Sequence, residues 1–345
     1  MRWLAFGTYD VRRHPRVAVL IEGLRAHGDE VVEVNVPLPL DTAGRVAMLR
    51  QPWRLPLLAA KLLRCWRLLA IRARRERRNP PDAILVGYMG HFDVRLARLL
   101  FGRTPIALDH LVSAAGTAHD RGLAGSDGLK SRLMRRIDAG ALGSADVVIV
   151  DTPEHEQALP AVAAVNSVVV PVGATEAWFA AGAASAGGPE DADGAGSRPL
   201  RAIFVGLFTP LHGTPALGEA LAALTDEPGV EVTMVGTGQD HAACRERAGA
   251  NPRVRWLNWV AGDELPALVA AHDVSLGIFG TTDKALKVVP TKVFQGAAAG
   301  CAIVTSDTPP QRAALGEAAA FVPPGDGVAL ADVLRRLAGD RTELA

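Results

Sequence analysis

Cysteine and lysine are scarce in this 345-residue chain, and it carries no formal net charge. Its three cysteines, Cys65, Cys244 and Cys301, have neither metal-ligand nor redox spacing, which argues against a disulfide framework and fits a reducing cytoplasm. The balanced charge leaves no whole-molecule field to draw the protein to nucleic acid or to an acidic partner. No apolar run reaches the roughly 18 to 20 residues that cross a bilayer, and "MRWLAFGTYDVRRHPR" reads as a strand followed by charge rather than a signal peptide. No cluster of Asp, Glu or His has ligand spacing and no DxD motif lies on a strand-end loop, so the sequence carries no sign of a metal site.

What is present is a strong α/β grammar. "RWLAFGTYD", "EVVEVNVP", "PDAILVGYMG", "PIALDHL" and "ADVVIVDT" are short apolar runs that alternate with helical periodicity, as in "VAVLIEGLRAHG". Continuous apolar strands separated by helices indicate a mostly parallel sheet covered on both faces. The segment "AAGAASAGGPEDADGAGSRP" has nothing to bury and reads as a flexible linker. Beyond it the pattern restarts with "LRAIFVG", "VEVTMVGTG", "VSLGIFG" and "CAIVTSD". The expected organisation is an amino-terminal Rossmann-like domain over 1–180, a linker over 181–199 and a carboxy-terminal Rossmann-like domain over 200–345. Two doubly wound parallel-sheet domains would face a central cleft at the carboxyl ends of their strands.

The turns at those strand ends are the first candidates for a site. In "VGLFTPLHGTPALGEAL", Gly206 ends a strand and Gly213 opens a helix, which lets bare backbone approach a phosphate at a helix N-terminus. Gly236 in "VGTGQD" ends a second strand in the same way. Neither turn is a GxGxxG or Walker pattern, and an ordinary βα turn explains each equally well.

The order of "FVGLFTPLHG", "RVRWLNWV", "ELPALVAAHDVSLGIFG" and "KVVPTKVFQGAAAGCAIVTSDTP" resembles the nucleotide-binding half of retaining GT-B glycosyltransferases of family 4. "LDHLVS", "HDRG" and "ADVVIVDTPEH" are similar to the acceptor half of one branch of that family, so the resemblance runs from Met1 to about Pro324. It implies a nucleoside-diphosphate sugar as donor and a hydroxyl acceptor, a small molecule, a saccharide or a lipid-linked sugar. It also implies metal-independent transfer with retention, in which the enzyme contributes positioning and charge stabilisation. The family's usual phosphate-gripping lysine falls here on His212, its arginine on Leu207 or Phe208, and its two glutamates on Lys287 and Gln295.

Three of the chain's five lysines, Lys284, Lys287 and Lys292, lie in "DKALKVVPTKVFQGAAAG". With the customary cations missing, these lysines are the expected phosphate ligands, Lys284 and Lys287 foremost, with His212 assisting. The alternative is three solvated surface charges. Gln295 is expected to hydrogen-bond ribose hydroxyls at about 0.5 to 1.5 kcal/mol. On the acceptor side the resemblance points to His110, with Asp109 beside it to orient it or an acceptor hydroxyl, while their place after the first strand puts Asp10, Arg13 and His14 on the cleft rim. Asp120 and Arg121 in "HDRG" are either a further contact or an ordinary ion pair.

Residues 50–79 carry ten basic side chains against Glu76 alone, a net of +9 that the rest of the chain must balance. On a helical wheel Lys61, Arg64, Arg67, Arg72 and Arg75 share one face and Leu58, Leu62, Trp66 and Leu69 another. Such a helix fits either an anionic membrane surface at the inner face or a domain core with its arginines in water. Two other functions stay open: a non-catalytic partner of another transferase and a nucleotide-sugar epimerase.

Overall fold

Apolar strands dictate the architecture, because a strand that is apolar on both sides must be covered on both. The computed structural model describes residues 1–11, 15–39, 53, 55–87, 90–111, 113–116, 128–164, 166–186 and 198–344. Arg13, His14, Asp120 and Arg121, and residues 187–197 of the expected linker, lie outside them. The chain forms two units, Met1–Val170 and Pro171–Ala345.

The first unit is a six-stranded parallel sheet of β1 (Arg2–Gly7), β2 (Glu30–Asn35), β3 (Ala83–Val86), β4 (Ile106–Asp109), β5 (Val147–Val150) and β6 (Ser167–Val169). Its order is β2-β1-β3-β4-β5-β6. Alternate residues of β1 enter different cores: Leu4 and Phe6 pack with Ile84, Val86 and Leu108, whereas Ala5 packs with Val17, Ile21 and Leu85. The second unit repeats the plan with β7 (Leu200–Val205), β8 (Val230–Val235), β9 (Val254–Leu257), β10 (Val274–Leu276), β11 (Ala302–Ser306) and β12 (Ala319–Val322) in the order β12-β11-β10-β7-β8-β9. Leu200, Ala202 and Phe204 face one core and Ile203 the other. Each fully buried Leu, Ile or Phe stabilises its unit by about 1.5 to 3 kcal/mol.

In each sheet the first strand sits between neighbours reached by connections running in opposite directions. This places a topological switch point at the carboxyl ends of β1 and β3 in one unit and of β7 and β10 in the other, where open α/β sheets bind ligands.

The boundary between the units falls ahead of 180. Helix Glu176–Ser185, which spans part of the expected linker, belongs to the second unit. Trp178 is buried against Val269, Ala299 and Cys301, and Ser185 Oγ donates to the Ala270 carbonyl at 2.8 Å. An alanine-rich run masked this docking, since its one large anchor lies near its start.

The basic segment also differs from a simple two-faced helix. It forms helices Leu55–Arg72 and Arg74–Arg78, with Cys65 and Leu69 buried among Leu4, Val34 and Leu96 and with Trp66 packed beside them. Its Leu58–Leu62–Trp66–Leu69 side therefore faces the first unit's core.

Candidate functional site

The strand-end loops of the second unit converge on one small constellation. β7 ends at Val205, and from Gly206 the chain turns through a short 3-10 segment, Pro210–His212, before Gly213 opens helix Thr214–Ala223. Gly213 is left-handed, φ 62°, and a Cβ there would stand 2.2 Å from the Phe279 carbonyl carbon. Only glycine lets this loop lie against the end of β10, where Phe279 N donates to His212 O at 3.0 Å. Gly236, at the end of β8, is equally constrained. Its φ is 123° and a Cβ would fall 1.9 Å from the Gly206 oxygen.

Lys292 enters the same place from the first turn of helix Thr291–Ala298. Its Nζ lies 3.7 Å from the centroid of the Phe204 ring, is buried, and has no hydrogen-bond partner among the described residues. A Cβ on Gly206 would sit 2.7 Å from that Nζ and 3.2 Å from His212 Nε2, so bare backbone separates the amine from the imidazole. His212 Nδ1 and Thr209 Oγ1 share a hydrogen bond of 2.9 Å. Burial, then the charges of Lys292 and Lys284, hold His212 well below the ordinary imidazole range, and burial pulls Lys292 well below the ordinary lysine value. The ring face of Phe204 offsets part of that desolvation by a cation–π contact of about 0.5 to 2 kcal/mol. Thr214 Oγ1, fully buried beside Gly213, also lacks a partner among the described residues.

Of the expected donor-side residues, Gly206, His212, Gly213, Gly236 and Lys292 come together. Lys284 is close enough to His212 to act on its charge. Lys287 instead pairs with Asp283 at 2.7 Å across one turn and is about two-fifths exposed. Gln295 is half-buried, one turn beyond Lys292 on the same helix. Phe208, an arginine position in the resemblance, is fully buried against Phe204, and Leu207 is exposed. Phe204 and Thr214 escaped the sequence reading, as an aromatic in an apolar strand and a threonine at a helix start carry no signal of their own.

The first unit has its own strand-end cluster. His110 follows β4 and is buried, its ring edge-on to His91 at 5.5 Å. His91 Nε2 stands 3.0 Å from Asp138 Oδ1. Asp138 also accepts from Ser113 Oγ and from the amides of Ala114 and Ala115, which straps the loop after His110 to helix Leu129–Leu142. Asp109 does not turn toward His110. Its Oδ1 accepts from Arg16 Nε at 2.8 Å in a buried ion pair, and Arg16 also donates to the Val170 carbonyl. Burial still raises the Asp109 carboxyl despite Arg16. Asp10 is half-buried just past β1. The neighbouring Thr8 donates its amide and its hydroxyl to Asp93 Oδ2, both at 2.7 Å, an anchor the sequence did not reveal.

Burial and the neighbouring charge of His91 push His110 down to about 4. An imidazole free in the unfolded chain titrates near 6.5, so between roughly pH 6.5 and 4 the unfolded chain binds a proton that the folded one does not. Stability is therefore full above that window and falls as pH drops through it, by about 3 kcal/mol at most. His110→Gln flattens this part of the first unit's urea-unfolding profile. Profiles of the original and the variant that stay parallel from pH 7 to 4.5 contradict the assignment.

Among the described residues no group of three His, Cys, Asp or Glu is arranged to hold a metal. Residues 199–340 match the family model Glycosyl transferases group 1. No curated protein matches the sequence. Solved structures similar over 99% of the chain include sucrose-phosphate synthase from Thermosynechococcus elongatus, at 17% identity, 90% coverage of that chain and TM-score 0.66. An E. coli trehalose-6-phosphate protein bound with UDP-2-fluoro glucose gives 14%, 92% and 0.66. A glycosyltransferase from Rickettsia africae gives 12%, 90% and 0.58. These likenesses establish the fold, two Rossmann-like domains of GT-B type.

Proposed function

We propose that this chain is a retaining glycosyltransferase that moves a sugar from a nucleoside-diphosphate sugar to a hydroxyl of a saccharide or other small acceptor. The observation that carries the reading is Lys292 Nζ, buried without a partner beside the bare backbone of Gly206 at a switch point. An unpaired buried amine is costly in the free protein and is relieved by an anion. The match of residues 199–340 to a glycosyltransferase family model, and a UDP-sugar analogue bound to one structural relative, support a diphosphate as that anion.

In this reading the Lys292 stem turns out past Gly206 to meet the diphosphate, His212 offers Nε2, and the amides at the start of helix Thr214–Ala223 add their dipole. Gln295 takes ribose hydroxyls, and Lys284 and Lys287 lend charge from the surface. As the bond from the sugar's anomeric carbon to the diphosphate oxygen breaks, the acceptor oxygen bonds on the same face and its proton passes to the departing diphosphate. Lys292 stabilises the charge that develops there. On the first unit His110, kept neutral at pH 7, can hydrogen-bond a hydroxyl of the acceptor. The reading asks for no cofactor beyond the donor, and the three buried free thiols suit a cytoplasmic enzyme.

Thermal unfolding against a panel of nucleoside diphosphates tests the donor side. At about one hundred times Kd, stabilisation is about 2.7 kcal/mol, or roughly 5 to 10 °C in a unit of this size. No shift with any base refutes the reading. A second reading, a non-catalytic partner of another transferase, is favoured by the Lys287–Asp283 pair at a position where the resemblance expects a carboxylate. Nucleotide binding without turnover of any donor sugar selects it.

A further inference from the structure

Helix Leu55–Arg72 has a second apolar face that the fold leaves uncovered. Cys65, Leu69 and Trp66 occupy its inner side, and Trp66 Nε1 donates to Asp93 Oδ1 at 2.9 Å. On the outer side Leu57 (53%), Leu68 (39%) and Ile71 (51%) remain exposed, with Leu63 (57%) at the margin and Trp53 (73%) ahead of the helix. At about 100° per residue Leu57, Arg64, Leu68 and Ile71 fall within roughly 60° of one another, nearly opposite the buried face. Arg64, Arg67, Arg72, Arg74, Arg75, Arg77 and Arg78 are exposed around them. The one acid of the segment, Glu76, is buried against Arg2 and cannot neutralise them.

We propose that this face rests on an anionic lipid surface, with Leu57, Leu68 and Ile71 among the acyl chains and the arginines at the headgroups. The combination selects the partner. Arginines alone would suit any polyanion, but aliphatic side chains between them gain nothing from a phosphate backbone and do gain from a hydrocarbon boundary. Arginine stems long enough to snorkel let both contacts form at once. Segment 50–79 holds a net of +9 in a chain of zero net charge, so the field is concentrated on this segment rather than spread over the molecule. Among the described residues no helix is long and apolar enough to cross a membrane, so the contact is peripheral. The inference does not depend on what the second unit binds.

The test is cosedimentation of the whole chain with vesicles of phosphatidylcholine alone and of phosphatidylcholine with phosphatidylglycerol in equal parts. The chain partitions onto the mixed vesicles only, and less as salt is raised. Leu68→Ser with Ile71→Ser lowers the partition coefficient about tenfold, with unchanged far-ultraviolet dichroism because both side chains are exposed. Arg64→Gln with Arg67→Gln lowers it about fivefold per residue. If the first pair perturbs folding, Leu57→Ser alone reads the same face with a smaller loss. Absence of binding overturns the proposal, as does binding indifferent to the aliphatic variants. Retention of duplex DNA by the aliphatic variants, without vesicle binding by the original chain, makes the patch a nucleic-acid surface and overturns it too.

Discussion

Lys292→Met raises the stability of the unliganded protein and weakens nucleoside diphosphate binding at least about thirtyfold, which corresponds to about 2 kcal/mol. The two effects share one cause. Lys292 Nζ is buried beside Gly206 and over the Phe204 ring, so its charged form lacks both water and, among the described residues, a hydrogen-bond partner. Its pKa is lowered by burial alone. Between that lowered value and the ordinary lysine value near 10.4, the unfolded chain holds the extra proton, so this group's contribution to stability rises with pH and is a penalty below the window. A methionine of similar length removes the penalty and still fills the space, while a bound diphosphate loses its buried cation. Unfolding without ligand and calorimetric titration with nucleoside diphosphate check the two halves. Unchanged affinity refutes the phosphate assignment, and lowered stability refutes the claim that the amine is unpaired.

Gly236→Ala costs the second unit more than about 4 kcal/mol, enough to abolish a cooperative transition in a marginally stable domain. A Cβ there overlaps the Gly206 oxygen, and neither β7 nor β8 can retreat because Gly206 N donates to Val235 O and Gly236 N to Leu257 O. Gly300→Ala is the matched control. It has φ 82° with nothing within 4 Å of the added carbon, so only conformational strain of about 1 to 2 kcal/mol applies. Denaturant titration of both variants separates strain from collision. Equal losses contradict the account of the strand-end turns.

Both sheets were legible because most of their strands are apolar on both faces, and the second unit's first run breaks at Gly206, as expected, directly after Val205. The glycines of the donor-side turns were legible for the same reason. The choice among three lysines was not. Lys284, Lys287 and Lys292 differ in where a folded turn aims each stem, and spacing alone does not supply that direction. One clue was present, since Asp283 lies four residues before Lys287 and such a pair forms on any helical turn. The amphipathic wheel of segment 50–79 found the Leu58–Leu62–Trp66–Leu69 face but left open whether core or membrane covers it, and it did not expose the second apolar face. A wheel weighs residue types, and the arginines among Leu57, Leu68 and Ile71 hid those residues. Asp93 and Asp138, which strap the loops after β1 and β4, had no signal, because a carboxylate accepting backbone amides depends on contacts distant in sequence.

Asp93 joins two parts of the first unit through its two oxygens. One holds the indole of Trp66 on the arginine-rich helix, and the other holds the amide and hydroxyl of Thr8 in the loop that follows β1. A buried carboxylate cannot release either donor without losing a charge-assisted bond of about 1.5 to 3 kcal/mol. The helix and the loop are therefore tied to a single side chain, and losing either donor leaves part of a buried carboxylate unsatisfied. If a ligand steadying Thr8 alters binding at the helix, binding at the helix must alter that ligand's affinity by the same factor.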